Sequence, residues 1–223
     1  MAVFIPADAA DSHRHSCGIG VGEHLNRPLI LASASPRRAQ LLEQMGLVFT
    51  VRPTDVDETV HPGEQPAAYV ARLAKAKAQA GFEPGAVSIG ADTTVTIDDE
   101  ILGKPCGLTE GVDMLLRLAG RRHQVLTGVA VCDGVQTLCE VVGAVVHFGE
   151  ISAETAQRYW HTGEPADKAG GYGIQGIGGI FVQRLEGSYS AVVGLPIERM
   201  EYLLQALNID TWSTRKDGRR ITD

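Results

Sequence analysis

Short apolar, β-rich runs alternate along this chain with segments whose apolar residues recur at helical spacing. The first pattern is typical of buried strands and the second of amphipathic helices. The predicted strands are PLILAS, VFTV, AVSIGADTTVTI, HQVLTGVAVC, QTLCEVVGAVVHF and GIFVQRLEG. The predicted helices start at Ser35 or Pro36, Pro66, Thr109, Ser152 and Pro196, and they end near Gly46, Gly81, Leu118, Trp160 and Leu207. Serine caps, N-terminal prolines and C-terminal glycines favour most of these boundaries.

Two turn sequences indicate that part of the sheet is antiparallel. Asp133-Gly134 lies between two long β-rich runs, and IDDEILGKP predicts a second hairpin that places Lys104 on the return. Strands and helices otherwise interleave, and no internal repeat or linker interrupts them. We therefore expect one α/β domain with a mixed parallel and antiparallel sheet flanked by helices.

The two ends of the chain differ from its centre. Residues 1–27 are polar and lack periodicity, so we interpret them as an N-terminal extension, ordered or flexible, outside the core. Residues 28–208 are expected to form the domain. Residues 209–223 are expected to be a polar, peripheral C-terminal tail.

Composition narrows the class of protein. Of the 223 residues 44% are hydrophobic, which is enough for a sizeable core, and the net charge of −7 disfavours a broad nucleic-acid-binding face. No apolar run is long enough for a membrane span, and the first residues lack the pattern of a signal peptide. The four cysteines form no C-x-x-C pair. We expect a cytoplasmic protein that binds neither nucleic acid nor membrane, with reduced cysteines.

The segment LASASPRRAQLL is the first candidate for chemistry. A loop that enters a helix exposes unpaired backbone N–H groups, and the hydroxyls of Ser33 and Ser35 with the guanidinium groups of Arg37 and Arg38 complete a cradle for phosphate. Two arginines in a first helical turn oppose the helix dipole unless an anion is present. The alternative is that both arginines pair with surface acids.

Acidic residues supply the second candidate. Asp92 lies inside an apolar strand, where a charge is expensive to bury without a compensating cation, whereas Asp55, Asp57 and Glu58 share a loop. Carboxylate oxygens are the ligands that Mg²⁺ or Mn²⁺ prefers, usually together with substrate phosphates. The alternative for Asp92 is a side chain that caps a local turn.

Two lysines and a glycine-rich loop complete the candidates. Lys104 follows a turn and precedes a proline, while helical spacing places Lys77 away from the buried side of its helix; taken alone, each is more often a solvated charge. The segment DKAGGYGIQGIGGIFV leads into a strand, which excludes the dinucleotide-binding interpretation of its glycines. Tyr172 and Gln175 of this loop are suited to a flat base, or the tyrosine simply packs in a turn.

Seven segments together closely resemble the Maf family of nucleoside triphosphate pyrophosphatases. In chain order they are LASASPRRAQLL, VDE, RLAKAKA, GADTTV, LGKP, DKAGGYGIQG and SYSAVVGLP, and they cover about residues 29–207. The resemblance implies a single elongated α/β domain similar to that of the inosine triphosphate pyrophosphatases, a divalent Mg²⁺ or Mn²⁺ ion and a homodimer. It also implies hydrolysis of a nucleoside triphosphate between the α and β phosphates.

The resemblance also implies roles for individual residues. Asp92 of GADT corresponds to the proton acceptor that activates water. The groups around the phosphates and the metal correspond to Ser33, Arg37, Glu58, Lys77 and Lys104. The positions that set base preference correspond to Arg37, Thr93 and Gln175. The predicted site thus has Asp92 as catalytic residue, Glu58 and Asp92 as metal ligands, and as substrate-binding residues Ser33, Arg37, Arg38, Lys77, Thr93, Lys104, Tyr172 and Gln175.

The motifs GADT and YGIQG are similar to those of the family's enzymes that act on dTTP and UTP. Gly171 departs from the family pattern, in which alanine is usual before the tyrosine, and this change bears on the base loop. Two alternatives stay open. The first is a nucleotide-sensing regulator of septum formation with little hydrolysis, and the second is a pyrophosphatase for purine or modified nucleotides.

Overall fold

Seven strands form one mixed sheet in the computed structural model, which describes residues 27–215. The strands are β1 Leu29–Leu31, β2 Phe49–Val51, β3 Val87–Ile97, β4 Glu100–Leu102, β5 Arg122–Cys132, β6 Thr137–Phe148 and β7 Val182–Gly187. Their order is β2-β1-β3-β5-β6-β7, and β4 pairs with β3. The β2–β1–β3 pairs are parallel and the others antiparallel, which confirms the predicted mixed sheet.

Seven helices surround this sheet within the described part of the chain. They are α1 Pro36–Gln44, α2 Pro66–Ala80, α3 Leu108–Leu118, α4 Ala153–Trp160, α5 Tyr189–Val193, α6 Ile197–Ala206 and α7 Thr211–Thr214. Short 3₁₀ turns lie at Glu164–Asp167, Ala169–Gly171 and Ile177–Phe181. The five longer helices are as predicted. The helices α5 and α7 were not predicted, because segments of five and four residues are too short to show helical periodicity.

The two predicted serine caps have different outcomes. Ser152 caps α4, since its side chain accepts a hydrogen bond from the backbone N–H of Thr155. Ser35 lies at the N-cap position of α1, but its side chain makes no capping bond. The backbone N–H of Ser35 instead donates to Ser33 Oγ, which therefore shapes the loop before the helix.

The ends of the domain pack more than the sequence suggests. Arg27 donates to the backbone oxygens of Ala86 and Asp133, so it belongs to the folded core, while residues 1–26 of the expected extension lie outside the described residues. Ile209 and Thr211 are buried, so the prediction of a peripheral tail is wrong for this part of it. Cys106, Cys132 and Cys139 are free, and among residues 27–215 no helix has the length and apolarity to cross a bilayer.

Strand β3 has a gap along one of its edges. β5 pairs with one edge of β3 from Ser88 to Thr96. The other edge is shared, because β1 pairs with Val87–Ile89 and β4 pairs with Val95–Ile97. Within the described part of the chain, residues 90–94 have no strand beside them on that edge. The sheet is therefore open where Asp92 lies, and side chains from both of its faces can reach the opening.

The two faces of the sheet are packed differently. One face of β3, with Val87, Ile89 and Val95, belongs to two large apolar clusters that include α1 and α6 at one end and α3 and α4 at the other. The opposite face carries Gly90 and Asp92 and is covered by α2, with a small cluster of alanine and cysteine side chains between them. Only small residues fit there because the helix lies unusually close.

Two glycines make this close approach possible. A Cβ atom on Gly90 would lie 2.2 Å from the backbone oxygen of Ala74, and one on Gly128 would lie 2.3 Å from that of Val70. Both oxygens belong to the backbone of α2, which has no flexible end that can move aside. The contact determines where the residues of α2 stand relative to β3.

Replacing Gly90 by alanine is therefore expected to destabilise the protein by about 3 kcal/mol, because the helix backbone must move away from the strand. Gly143→Ala is the matched control in a strand, since its Cβ would meet only the end of the Leu126 side chain, at 3.2 Å. Urea unfolding followed by circular dichroism measures both changes. Equal stability of Gly90→Ala and Gly143→Ala would contradict the close packing of α2.

Candidate functional site

A cavity of about 810 Å³ opens at the gap in β3. Its walls come from the N-terminus of α1, the loop before α2, the end of β4, the glycine-rich loop and α5. The volume lies within the range of small-molecule sites in proteins. All ten predicted site residues line it, although the segments that carry them are far apart in the sequence.

An ion-paired group of three side chains lies at the floor of the cavity. Lys77 Nζ lies 2.7 Å from Asp92 Oδ1 and 2.6 Å from Glu58 Oε1. Lys77 and Asp92 are both only 8% exposed, whereas the Glu58 side chain is 48% exposed. The prediction that Lys77 lies away from the buried side of its helix is wrong: the close approach at Gly90 brings its ammonium onto Asp92.

The environment shifts the two carboxyl groups in opposite directions. Burial raises the pKa of Asp92 above its ordinary value, and the opposing charges of Lys77 and Arg38 do not fully offset this. Partial burial acts in the same sense on Glu58, but the hydrogen bond and charge of Lys77, with the charges of Lys104 and Arg38, bring its pKa below the ordinary value. Asp92 is thus a stronger base than an ordinary aspartate, and Glu58 is a weaker base than an ordinary glutamate.

Glu58 and Asp92 are the residues suited to hold a divalent metal. Among residues 27–215 no group of three or more histidine, cysteine or acidic side chains has the arrangement of a metal site. Two carboxylates that share one cation are nevertheless consistent with Mg²⁺ or Mn²⁺, which bind one or two protein acids together with substrate phosphates. The donor set fits such an ion only when a phosphate supplies further oxygens.

The two adjacent arginines of α1 have separate environments. Arg38 donates to Ser33 Oγ at 3.0 Å, to the backbone oxygen of Gly194 at 3.0 Å and to Thr93 Oγ1 at 3.4 Å. Burial lowers the pKa of Arg38, against the opposing effect of Asp92. Arg37 also lines the cavity but has no hydrogen bond or ion pair with any described residue. Arg38 therefore ties α1 to β3 and α5, while Arg37 keeps its donors for a ligand.

Thr93 links these Arg38 contacts to β5 and α5, on the face of the sheet opposite to Asp92. Its hydroxyl lies 2.9 Å from that of Thr127, which donates to the backbone oxygen of Ala191 in α5. Asp92 and Thr93 point to opposite faces of β3, yet both line the cavity because the sheet is open beside them. Thr93 is thereby fixed by protein contacts on the side where a ligand would lie.

The glycine-rich loop carries one buried and one exposed candidate. Tyr172 is 6% exposed, and its hydroxyl lies 2.8 Å from His123 Nε2 in the core, in an aromatic group that includes Phe148. Its polar end therefore holds the loop, in agreement with the alternative interpretation of a packed tyrosine. Gln175 is exposed at the rim, and Lys104 is exposed at the end of β4.

The sequence did not single out several residues that line or shape the cavity. Tyr69 donates to the backbone oxygen of Glu58, and burial with nearby carboxylates raises its pKa to about 12. Glu164 accepts from the backbone N–H groups of Ile177 and Gly178 and so shapes the glycine-rich loop. Tyr69 lies in an alanine-rich helix with no signal that marks it, whereas Glu164 stands just before the motif DKAGGYGIQG.

Comparison with known proteins identifies the family of this chain. A family model described as Maf-like protein matches residues 28–207. The chain belongs to the Maf family. Among its relatives are three proteins named dTTP/UTP pyrophosphatase. That of Pseudoalteromonas atlantica is 49% identical over 81% of this chain and 97% of the relative. Those of Hahella chejuensis and Saccharophagus degradans are 47% and 49% identical, over 84% and 82% of this chain and 96% and 90% of the relatives.

His123 makes the stability of this Maf protein depend on pH. Burial, and to a lesser degree His147, lowers the pKa of His123 to about 4 from 6.5. The unfolded chain therefore binds a proton in the range between these values that the folded chain does not, and stability falls as the pH falls. From pH 7 to pH 5 we expect this group to remove about 2 kcal/mol.

The measurement is urea unfolding at both pH values in the wild type and in His123→Gln. The glutamine amide offers Tyr172 a hydrogen-bond partner but takes no proton in this range. The pH-dependent loss is expected to be smaller in the variant by about 2 kcal/mol. The same pH dependence in both proteins would show that His123 titrates normally.

Proposed function

We propose that this protein hydrolyses dTTP and UTP to the nucleoside monophosphate and pyrophosphate. The observation that carries the proposal is the position of Asp92 at the floor of a nucleotide-sized cavity, in contact with Lys77 and next to Glu58. The relatives named dTTP/UTP pyrophosphatase support the reaction and its substrates, since their alignments cover 81%, 84% and 82% of this chain.

Asp92 acts as the general base in this proposal. It accepts a proton from a water molecule, whose oxygen attacks the α-phosphorus as the bond to the bridging oxygen of the β-phosphate breaks. The electron pair of that bond leaves with pyrophosphate. In the nucleotide-free protein Lys77 donates to Asp92 Oδ1, and no described residue donates a hydrogen bond to Asp92 Oδ2, which leaves this second oxygen for the water. Burial that raises the pKa of the carboxyl strengthens it as a base.

Cationic side chains around the cavity stabilise the charge of the leaving pyrophosphate. Arg37 has no hydrogen-bond partner among the described residues, Lys104 is exposed at the rim, and Lys77 contacts the base. Preorganised cations of this kind supply much of the rate enhancement in phosphoryl transfer. A divalent Mg²⁺ or Mn²⁺ ion, held by Glu58 and Asp92 with the substrate phosphates, would supply further charge neutralisation.

Gln175 is the residue proposed to recognise the base of the nucleotide. It is exposed at the rim of the cavity, and its amide can donate and accept hydrogen bonds toward the edge of a pyrimidine. Thr93 contributes through its fixed position beside Arg38. The Tyr172 ring positions the backbone of the loop, while the tyrosine hydroxyl contacts His123 instead of the ligand.

The Asp92→Asn variant tests the reaction. The amide keeps the shape of the side chain but accepts no proton, so kcat for dTTP and UTP is expected to fall by about 10² or more. Asp113→Asn, an exposed acid on α3, is the control and should keep wild-type turnover. Release of pyrophosphate, measured separately from orthophosphate in the presence of Mg²⁺ or Mn²⁺, is the readout. Near-normal turnover in Asp92→Asn would exclude it as the base.

A panel of canonical and modified triphosphates separates the proposal from the two alternatives. Preference for dTTP and UTP supports it, and higher kcat/KM for purine nucleotides would indicate the purine or modified-nucleotide enzyme. Tight binding of every nucleotide without turnover would instead indicate the regulator of septum formation.

The two arginines of α1 are expected to respond differently to substitution. Arg37→Gln should raise KM for dTTP about ten-fold and leave the free energy of unfolding nearly unchanged, because Arg37 makes no hydrogen bond within residues 27–215 and interacts with Asp167 only at longer range. Arg38→Gln should lower the free energy of unfolding by about 2 kcal/mol, because it breaks the contacts to Ser33, Thr93 and Gly194. Urea unfolding and steady-state kinetics of both variants measure the two effects. Equal free energies of unfolding for Arg37→Gln and Arg38→Gln would contradict a structural role for Arg38 alone.

We further propose a cytoplasmic homodimer that binds no nucleic acid, on the basis of the family resemblance and the net charge of −7. Analytical ultracentrifugation of the full chain tests the dimer.

A further inference from the structure

Lys77 occupies the oxygens that a metal ion at this site would need. Its Nζ lies 2.6 Å from Glu58 Oε1 and 2.7 Å from Asp92 Oδ1, so one ammonium bridges both carboxylates. An Mg²⁺ ion contacts its oxygen ligands at about 2.0–2.1 Å. The ammonium and a metal ion cannot bridge the same two oxygens together, because two cations would then be in contact.

The charge around the carboxylates also opposes a free metal ion. Lys77, Lys104 and Arg38 all act electrostatically on Glu58, and Arg38 and Lys77 act on Asp92. Three cations thus surround two carboxylates, and the group is formally positive. A bare divalent cation is repelled by such a group, whereas a triphosphate is attracted.

We propose that Lys77 acts as an internal cation that keeps divalent metal out of the site until a nucleotide arrives. The triphosphate draws the ammonium from the carboxylates to a phosphate, and the metal enters with the nucleotide. A lysine is suited to this exchange, since its compact charge sits on a flexible four-carbon stem. The inference rests on the metal-dependent function proposed above, but it concerns the order of binding.

If the nucleotide binds before or together with the metal, the nucleotide-free protein holds no divalent ion at Glu58 and Asp92. Free metal does not load the carboxylates, so the site selects the metal–nucleotide complex over either component. In the absence of Lys77 the buried Asp92 lacks its ion-pair partner, and a divalent ion becomes the available replacement. Removal of the lysine is therefore expected to increase metal binding, although it removes a group that we propose to bind a substrate phosphate.

Titration with Mn²⁺, with free ion measured by electron paramagnetic resonance, tests the inference without any enzymatic turnover. Nucleotide-free Lys77→Gln is expected to bind one Mn²⁺ at least ten-fold more tightly than the nucleotide-free wild type. Lys77→Arg keeps the positive charge and should bind as weakly as the wild type. Glu58→Gln added to Lys77→Gln should abolish the gain, which would place the ion at the carboxylate pair.

The wild type alone supplies a second test in case Lys77→Gln does not fold. Its Mn²⁺ affinity should rise at least ten-fold when the non-hydrolysable analogue α,β-methylene-dUTP is present. The affinity for Mn²⁺ with protein and analogue together should also exceed that of the analogue alone. Nucleotide-free wild type that binds Mn²⁺ as tightly as Lys77→Gln, or as tightly as with the analogue, would overturn the inference. Both titrations measure metal binding and not turnover. A protein without pyrophosphatase activity would therefore refute the proposed function and leave the Mn²⁺ titrations to decide the order of binding.

Discussion

The close approach of α2 to the sheet is the constraint on which the site depends. Gly90 and Gly128 bring the backbone of this helix against β3 and β5 at distances that no side chain permits. The helix can then place the Lys77 ammonium on the buried Asp92 carboxylate. A carboxylate at this depth would be unfavourable without that cation, and the cation would be unfavourable without its acid. Packing and chemistry therefore depend on the same contact.

The interrupted edge of β3 explains why one cavity collects residues from every part of the chain. In a continuous sheet, Asp92 and Thr93 would face separate compartments, because successive side chains point to opposite faces. Here β1 ends before Asp92 and β4 begins after it, so both side chains reach the same opening. The loop after β1 brings the arginines of α1, and the residues after β4 bring Lys104. A nucleotide-sized space lined by cations and acids is the result.

Residues with the same charge differ in function because their surroundings differ. Arg38 uses its donors within the protein and joins α1, β3 and α5, whereas its neighbour Arg37 lines the cavity without a hydrogen bond to any described residue. Among the acids, burial makes Asp92 a stronger base, while the exposed Glu58 stays readily ionised. Such differences follow from burial and hydrogen bonding, which vary between adjacent positions on one helix or strand.

Local sequence determined the longer elements and the hairpins, since capping residues, turn residues and apolar spacing act over a few positions. The full set of candidate site residues came from the resemblance of seven short motifs to the Maf family. It did not determine that Lys77 is buried, because helical periodicity describes one helix and says nothing of how closely a strand approaches it. Nor did it show that Tyr172 turns its hydroxyl to His123, which is distant in the sequence. Only the tertiary structure decides which polar groups meet, because burial and pairing depend on contacts between distant segments.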